Sequence, residues 1–298
     1  MDKKIIDIHA HIAYWPLFSK TFLDDVVADF RNSGVSSDYV EKLVKIVLSD
    51  KYGDKLIRQM DEAGIGKTVL LCTDFDFRKN DTPYSILEMH ELHLQQVEKH
   101  KDRFIVFAGV SPYREESYEI VSNYIENHGF KGIKLYPPIG FSLSDNRLSR
   151  YYELCNYYSL PIMIHTGPSV QGFKQIEKYE EDLKNITQQY KNAKFILAHG
   201  AIKDHDKGIK LAQNIENIYL DISSYQGELN RKEVLREKLR ECLERVPHKV
   251  LFGTDWPMYN FSNQQKNWIS ELRALDVMDA DMEEFLMYKN AESILDLS

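Results

Sequence analysis

Eight short runs of near-continuous apolar character recur along the chain, at 5–12, 68–72, 104–110, 132–136, 161–165, 195–199, 218–222 and 250–253. They are rich in Ile, Val, Leu and Phe, as parallel strands buried on both faces are. Between them, apolar positions fall three or four apart on a polar background, as on one face of a helix. The stretches 54–63, 84–100, 115–127, 147–158, 177–190 and 232–245 predict helices, the last strongly charged and solvated. Gly64 supplies a stop for the first. Regular alternation of strand and helix predicts an α/β chain folded as a (β/α)8 TIM barrel.

Such a barrel takes about 250 residues, which leaves about 50 of the 298 to place. The surplus falls between the first run, starting at 5, and the second, starting at 68. Residues 13–50 therefore predict an insertion after strand 1. It opens on Tyr14-Trp15-Pro16, continues through Phe18 and Phe22, and carries a helical pattern over 40–48. Insertions after a strand sit at the C-terminal face, where barrel active sites lie, so a helical cap is expected there. No linker divides the chain, and residues 1–298 read as one domain.

Position singles out the residues that carry chemistry. His9 and His11 are two apart in strand 1, so both imidazoles can enter the barrel from one side, with Asp7 one step deeper. His165 ends the fifth run, His199 ends the sixth, and Asp255 follows the eighth. Side chains at C-terminal strand ends converge on one mouth. His, His, His, His and Asp supply the N and O donors that zinc and similar divalent cations favour. Lys134, at the end of the fourth run, points to the same mouth, where an unpaired ammonium would be costly to bury.

Charge narrows the partners. Lys and Arg number 38 against 46 Asp and Glu, a net charge of −8. That argues against nucleic acid or an anionic membrane as the main partner and favours a small-molecule substrate. The three cysteines, Cys72, Cys155 and Cys242, are too few and too scattered for a disulfide framework or a Cys-rich zinc site. No targeting segment or membrane span is visible, so a cytoplasmic protein is expected.

Taken together, these residues resemble the amidohydrolase superfamily, above all its branch containing aminocarboxymuconate-semialdehyde decarboxylase. The resemblance runs from Asp7-Ile8-His9-Ala10-His11 to the closing stretch 290–297. It implies that His9, His11 and Asp255 hold a first divalent metal, with Asp255 also acting as the catalytic base. His165 and His199 match the histidines of strands 5 and 6. In single-metal relatives the first joins the metal site, and the second stays free to orient or deprotonate water. Lys134-Leu135-Tyr136-Pro137 resembles the dihydroorotase segment whose lysine is carboxylated and bridges two metals. Lys134 is thus either a metal ligand or an unmodified partner for a substrate carboxylate. One or two ions, zinc by preference, are implied, and a homodimer would follow family habit.

The leading expectation is a metal-dependent hydrolase of an amide, ester or lactone of a small organic acid. The alternative is a decarboxylase or hydratase of an unsaturated acid. A nuclease resembling the TatD group is remote, because those enzymes carry a glutamate where this chain has Lys134. For the substrate, Trp15, Tyr136, Tyr225 and Trp256, with Tyr14, Phe75, Phe77, Tyr113 and Tyr259, suggest an aromatic mouth. Arg78, Arg114 and Lys203 can meet a carboxylate or simply be solvated. Asp221 can support the site from strand 7. His90 and His93 read as residues of a solvated helix, and their spacing of three is not that of the zinc-protease motif.

Overall fold

The computed structural model describes residues 4–31, 36–75, 82–169, 173, 179–200, 205–260 and 264–297. Among them, eight parallel strands form one sheet in the order β1 to β8. The first three are β1 (Ile5–Ala10), β2 (Ile65–Leu71) and β3 (Phe104–Val110). They are followed by β4 (Ile133–Leu135), β5 (Pro161–His165), β6 (Lys194–Ala198), β7 (Ile218–Asp221) and β8 (Val250–Leu251). Backbone hydrogen bonds close the barrel between its first and last strands. Ile8 N–H donates to the Phe252 carbonyl at 2.9 Å, Asp255 N–H to His9 at 2.8 Å and His11 N–H to Trp256 at 2.8 Å.

Helices pack outside. α1 (Lys20–Arg31), α2 (Ser37–Val47) and α3 (Asp54–Ala63) lie between β1 and β2. Then come α4 (Ile86–Lys99), α5 (Ser117–His128), α6 (Ser149–Tyr157), α7 (Tyr179–Gln189), α8 (His205–Asn214) and α9 (Lys232–Arg245), one after each strand. α10 (Gln265–Ala274), α11 (Ala280–Glu284) and α12 (Asn290–Leu295) finish the chain. None of the described helices is long and apolar enough to cross a membrane. The start of α4 is set by a capping box. The Ser85 hydroxyl accepts from Glu88 N–H, and the Glu88 carboxylate accepts from Ser85 N–H, so the helix begins at Ile86 rather than at 84.

The core has two layers. Ile6, Ile8, Val69, Leu71, Phe107, Met163, Ile196 and Leu251 fill the inside of the barrel. Ala291, Ile294 and Leu295 of α12 extend this cluster. Lys194, at the start of β6, donates to the Ile294 carbonyl, which puts α12 at the end where strands begin. The site is therefore left to the opposite mouth.

One irregularity decides what enters that mouth. From Asp7 to Ala10, β1 advances three residues while β2 advances two, from Thr68 to Leu70. This extra residue, a β-bulge, switches the strand's phase. Ile6 and Ile8 face inward below it, whereas Ala10 and Ile12 join the outer layer above it. His9 and His11 thereby turn into the mouth. Asp7 does not point with them, as alternation alone had suggested. It accepts from Thr254 N–H, Thr254 Oγ1, Gln265 Nε2 and His9 N–H. Burial pushes its carboxyl up to about 7, against the pull of Thr254 and His9.

The expectation for His90 and His93 is corrected. Both are buried on the barrel-facing side of α4. Burial lowers their pKa values to about 4 and about 3, so both rings are neutral in the fold. An unfolded histidine protonates near 6.5. Stability that these rings leave intact above 6.5 is lost as pH falls toward 4, by about 2 kcal/mol each at pH 5. Urea unfolding of the metal-free protein is expected to show a clearly lower midpoint at pH 5 than at pH 7. Equal midpoints would contradict the neutral assignment.

Candidate metal centre

The hydrogen-bond network assigns a tautomer to each histidine at the mouth. His9 Nδ1–H donates to Asp221 Oδ2 at 2.6 Å, which leaves Nε2 as its bare nitrogen. His11 Nδ1–H donates to the Leu71 carbonyl at 3.1 Å, and again Nε2 is free. Those two nitrogens lie 3.5 and 3.4 Å from Asp255 Oδ1. Two donors that share a cation through bonds of about 2.1 Å at tetrahedral angles stand about 3.4 Å apart. His9, His11 and Asp255 therefore fit one divalent ion, and their ligand atoms all lie within 4.8 Å of one another.

A second pair of lone pairs meets nearby. The hydroxyls of Ser223 and Ser224 donate to Asp221 Oδ2 and Asp255 Oδ2. Their oxygens can then only accept from His199 Nδ1–H, at 2.9 and 2.8 Å. His165 Nε2–H donates to the Pro168 carbonyl at 3.3 Å. What remains is His199 Nε2 and His165 Nδ1, both bare acceptors, facing each other at 3.2 Å. Burial lowers the pKa of both rings, that of His199 to about 4, so a shared proton is disfavoured. A cation between or beside these nitrogens resolves their repulsion. A further group, His9, His199 and Asp221, is equally close, but its members are already joined by the hydrogen bonds around Ser223.

Lys134 sits among these groups. It is 2% exposed, and its Nζ has no hydrogen-bond partner among the described residues. Burial lowers its pKa to about 8 despite Asp255 and Asp221. Burial also pushes Asp255 upward, but His11, His9 and His199 outweigh it and hold the carboxylate well below its ordinary range. Asp221 behaves likewise through His9.

The backbone is shaped to deliver these side chains. His199, Ser224 and Asp255 all adopt left-handed φ, at 63°, 70° and 52°. Non-glycine residues seldom do so, and such conformations cluster at functional sites. Gly253 is required where β8 passes the site, since a Cβ there would lie 2.2 Å from Asp221 Oδ1 and 3.1 Å from the His9 Cβ. Asp221→Asn is expected to weaken metal binding about 10- to 100-fold without unfolding the barrel, because His9 loses its charged anchor. Competition with a chromogenic chelator measures this, and an unchanged affinity would remove Asp221 from the metal centre.

The sequence pattern of the amidohydrolase family matches residues 6–297. The chain belongs to the amidohydrolase family. No curated relative matches it. Solved structures that share the fold include an amidohydrolase from Burkholderia multivorans with bound zinc, 11% identical, with 98% of this chain and 99% of that one covered and a TM-score of 0.69. Another is 2,6-dihydroxybenzoate decarboxylase from Rhizobium, at 14% identity, coverage of 100% and 99%, and a TM-score of 0.66. A third is 5-carboxyvanillate decarboxylase from Novosphingobium aromaticivorans, complexed with manganese and a nitrobenzoic acid, at 17%, 98% and 96%, and 0.63. At these identities the likeness is one of fold. The protein is a metal-dependent enzyme of that superfamily, and its donor set fits a divalent metal.

All six expected metal and catalytic residues, His9, His11, Lys134, His165, His199 and Asp255, line one cavity of about 590 Å³. Phe18, Phe22 and Val26 of the insertion line it too, so the cap forms part of the wall. Of the four expected substrate residues only Tyr136 is there, its ring 4.6 Å from that of His165. Trp15, Tyr225 and Trp256 do not line it. Trp15 carries the Lys45 ammonium on its face. Tyr225 is fully buried behind Gly200, with its hydroxyl 3.0 Å from His205 Nδ1. Trp256 Nε1–H donates to Gln59.

Arg114 is held by Asp74 through both Nε and a terminal nitrogen. Tyr113 donates to the Gly140 carbonyl, and Tyr14 packs on Tyr84. Phe75 and Tyr259 do line the cavity. Phe77, Arg78 and Lys203 lie outside the described residues. Sequence reasoning missed Ser223 and Ser224, whose only signal was their place directly after Asp221 in the turn that follows β7.

Proposed function

We propose that this amidohydrolase hydrolyses an amide, ester or lactone bond of a small organic acid with two divalent cations, zinc by preference. The observation that carries this reading is the presence of two sets of bare donor atoms at cation-sharing separations, with an unpartnered lysine amine among them. With its pKa lowered to about 8, Lys134 keeps a reactive share of neutral amine at neutral pH. That amine adds to carbon dioxide, forming an N–C bond and releasing one proton, and becomes a carbamate with anionic oxygens. Carboxylation is favoured as pH rises toward 8 and is lost as the amine protonates below it. The carbamate, with His165 and His199, would complete the second seat.

Bound divalent cations supply Lewis acidity to the bond under attack and lower the pKa of water toward about 7. The chain supplies the proton path. Asp255, ionised and fixed by Ser224 at Oδ2, would take a proton on its carboxylate and pass it to the leaving group. Phe18, Phe22 and Phe75 exclude water and offer ring faces to a flat substrate.

A second reading, decarboxylation, is favoured by that same aromatic wall and by the likeness in fold to two decarboxylases of aromatic acids. One panel separates the two. Esters, lactones and anilides of aromatic and unsaturated acids are given to metal-loaded enzyme beside the free acids, with proton release and carbon dioxide both recorded. Proton release matched by a new carboxylic acid supports hydrolysis. Carbon dioxide from the free acids, with no turnover of the esters, lactones or anilides, overturns it.

A further inference from the structure

We infer that one ordered water, held by His93 of α4, supports the metal ligand His11 from behind. Three observations converge on this. His93 is 2% exposed, yet its Nε2 has no hydrogen-bond partner. Its Nδ1 lies 2.7 Å from the Met89 carbonyl, which can only accept, so Nδ1 carries the proton and Nε2 is a bare acceptor. A buried acceptor left unmet costs about 1–3 kcal/mol, so an O–H or N–H donor is required. Finally, a cavity of about 20 Å³ is lined by His93, His11 and Thr73 and, on its apolar side, by Ile12, Leu17, Phe18, Leu71, Phe75 and Met89. One water needs roughly 10–15 Å³ and two or more polar partners.

His90, one turn earlier on the same face, shows what is required. Its Nδ1–H donates to Ile86, and its Nε2 accepts from Gly109 N–H at 3.1 Å. Each histidine spends Nδ1 on its own helix and turns Nε2 toward the barrel wall. For His90 the wall offers a backbone N–H. For His93 it offers the Leu71 carbonyl, an acceptor already taking the His11 proton, and the Thr73 hydroxyl, 3.5 Å from His11 Nδ1. A water donating to His93 Nε2 and accepting from Thr73 Oγ1 satisfies both. With its own proton turned to the water, Thr73 presents only lone pairs to His11 Nδ1–H, beside the Leu71 carbonyl, and so keeps the proton on Nδ1 and His11 Nε2 bare and aimed at Asp255. His93 is thus a positioning residue, acting on the metal centre from outside the substrate cavity.

This rests on His11 being a metal ligand, so the test separates the two claims. The crystal structure of the metal-free protein reads the water alone. Density for one solvent molecule between His93 Nε2 and Thr73 Oγ1 is expected, and its absence overturns the inference whatever the metal does. The metal-loaded protein is then challenged with chelator, and metal release is timed. His93→Phe, which fills the cavity and removes the acceptor, is expected to release metal about tenfold faster. His93→Gln, which keeps an acceptor, is expected to stay within about threefold of wild type. Thr73→Val repeats the test from the other side if His93→Phe fails to fold. Equal release from wild type, His93→Phe and Thr73→Val overturns the positioning role. A wild type that binds no metal overturns the parent reading and leaves the water to be judged by its density.

Discussion

Asp255→Asn is expected to lower kcat/KM by about a thousandfold or more while the barrel stays folded. The carboxylate does three things at once. Its Oδ1 faces His9 Nε2 and His11 Nε2 at the separations of donors sharing a cation. It is ionised at neutral pH. Its Oδ2 accepts from Ser224. Asparagine keeps the shape and tolerates the left-handed φ of 52° better than other side chains, so strain does not confuse the result. It loses the charge and the ability to take a proton. Both kcat and metal affinity are expected to fall. Activity within tenfold of wild type would remove Asp255 from the chemistry.

The second large effect is expected at Lys134. Lys134→Ala would lower the metal content from about two ions per chain to about one, and kcat/KM by about a thousandfold, the worth of several kcal/mol of charge stabilisation. A short carboxylate such as propionate, added to the variant, is expected to restore part of both, because it can stand where the carbamate stood. An unmodified ammonium serving only to hold a substrate carboxylate would act differently. Its loss would raise KM, leave metal content unchanged and gain nothing from propionate. Stability of the metal-free variant should rise, because a buried amine without a partner is removed.

Much of this was legible in the sequence because the barrel's strands are buried on both faces, and apolar runs report that directly. β3 and β5, and the helices α3 and α9, fall at their expected bounds. β8 is shorter than its run because the chain turns at Gly253 to bring Thr254 to Asp7 and Asp255 to the mouth. The convergence of His9, His11, Lys134, His165, His199 and Asp255 on one mouth was legible for the same reason: a strand's C-terminal end has only one place to point. Direction in loops was not. Trp15, Tyr225 and Trp256 belong to the expected loops but turn into packing, because an aromatic ring near a site is claimed as readily by a gap in the wall as by a substrate. His90 and His93 misled for a different reason. Their polarity masks the face they share with Ile86 and Met89, and the carbonyls that let a neutral imidazole be buried are a tertiary fact. α1 carries its apolar face in Phe22, Leu23 and Val27, yet its role as a cavity wall emerges only once the cap is placed.

The proposed function requires two seats for divalent cations, joined through a carboxylated Lys134. Metal content per chain, by elemental analysis of protein purified without chelators or a metal-binding tag, tests it most directly, with the intact mass taken on the same sample under native conditions. About two ions per chain, with a mass increased by one carboxyl group, is the expected result. One ion per chain with an unmodified lysine would contradict it, and would leave His199 free beside a single-metal centre.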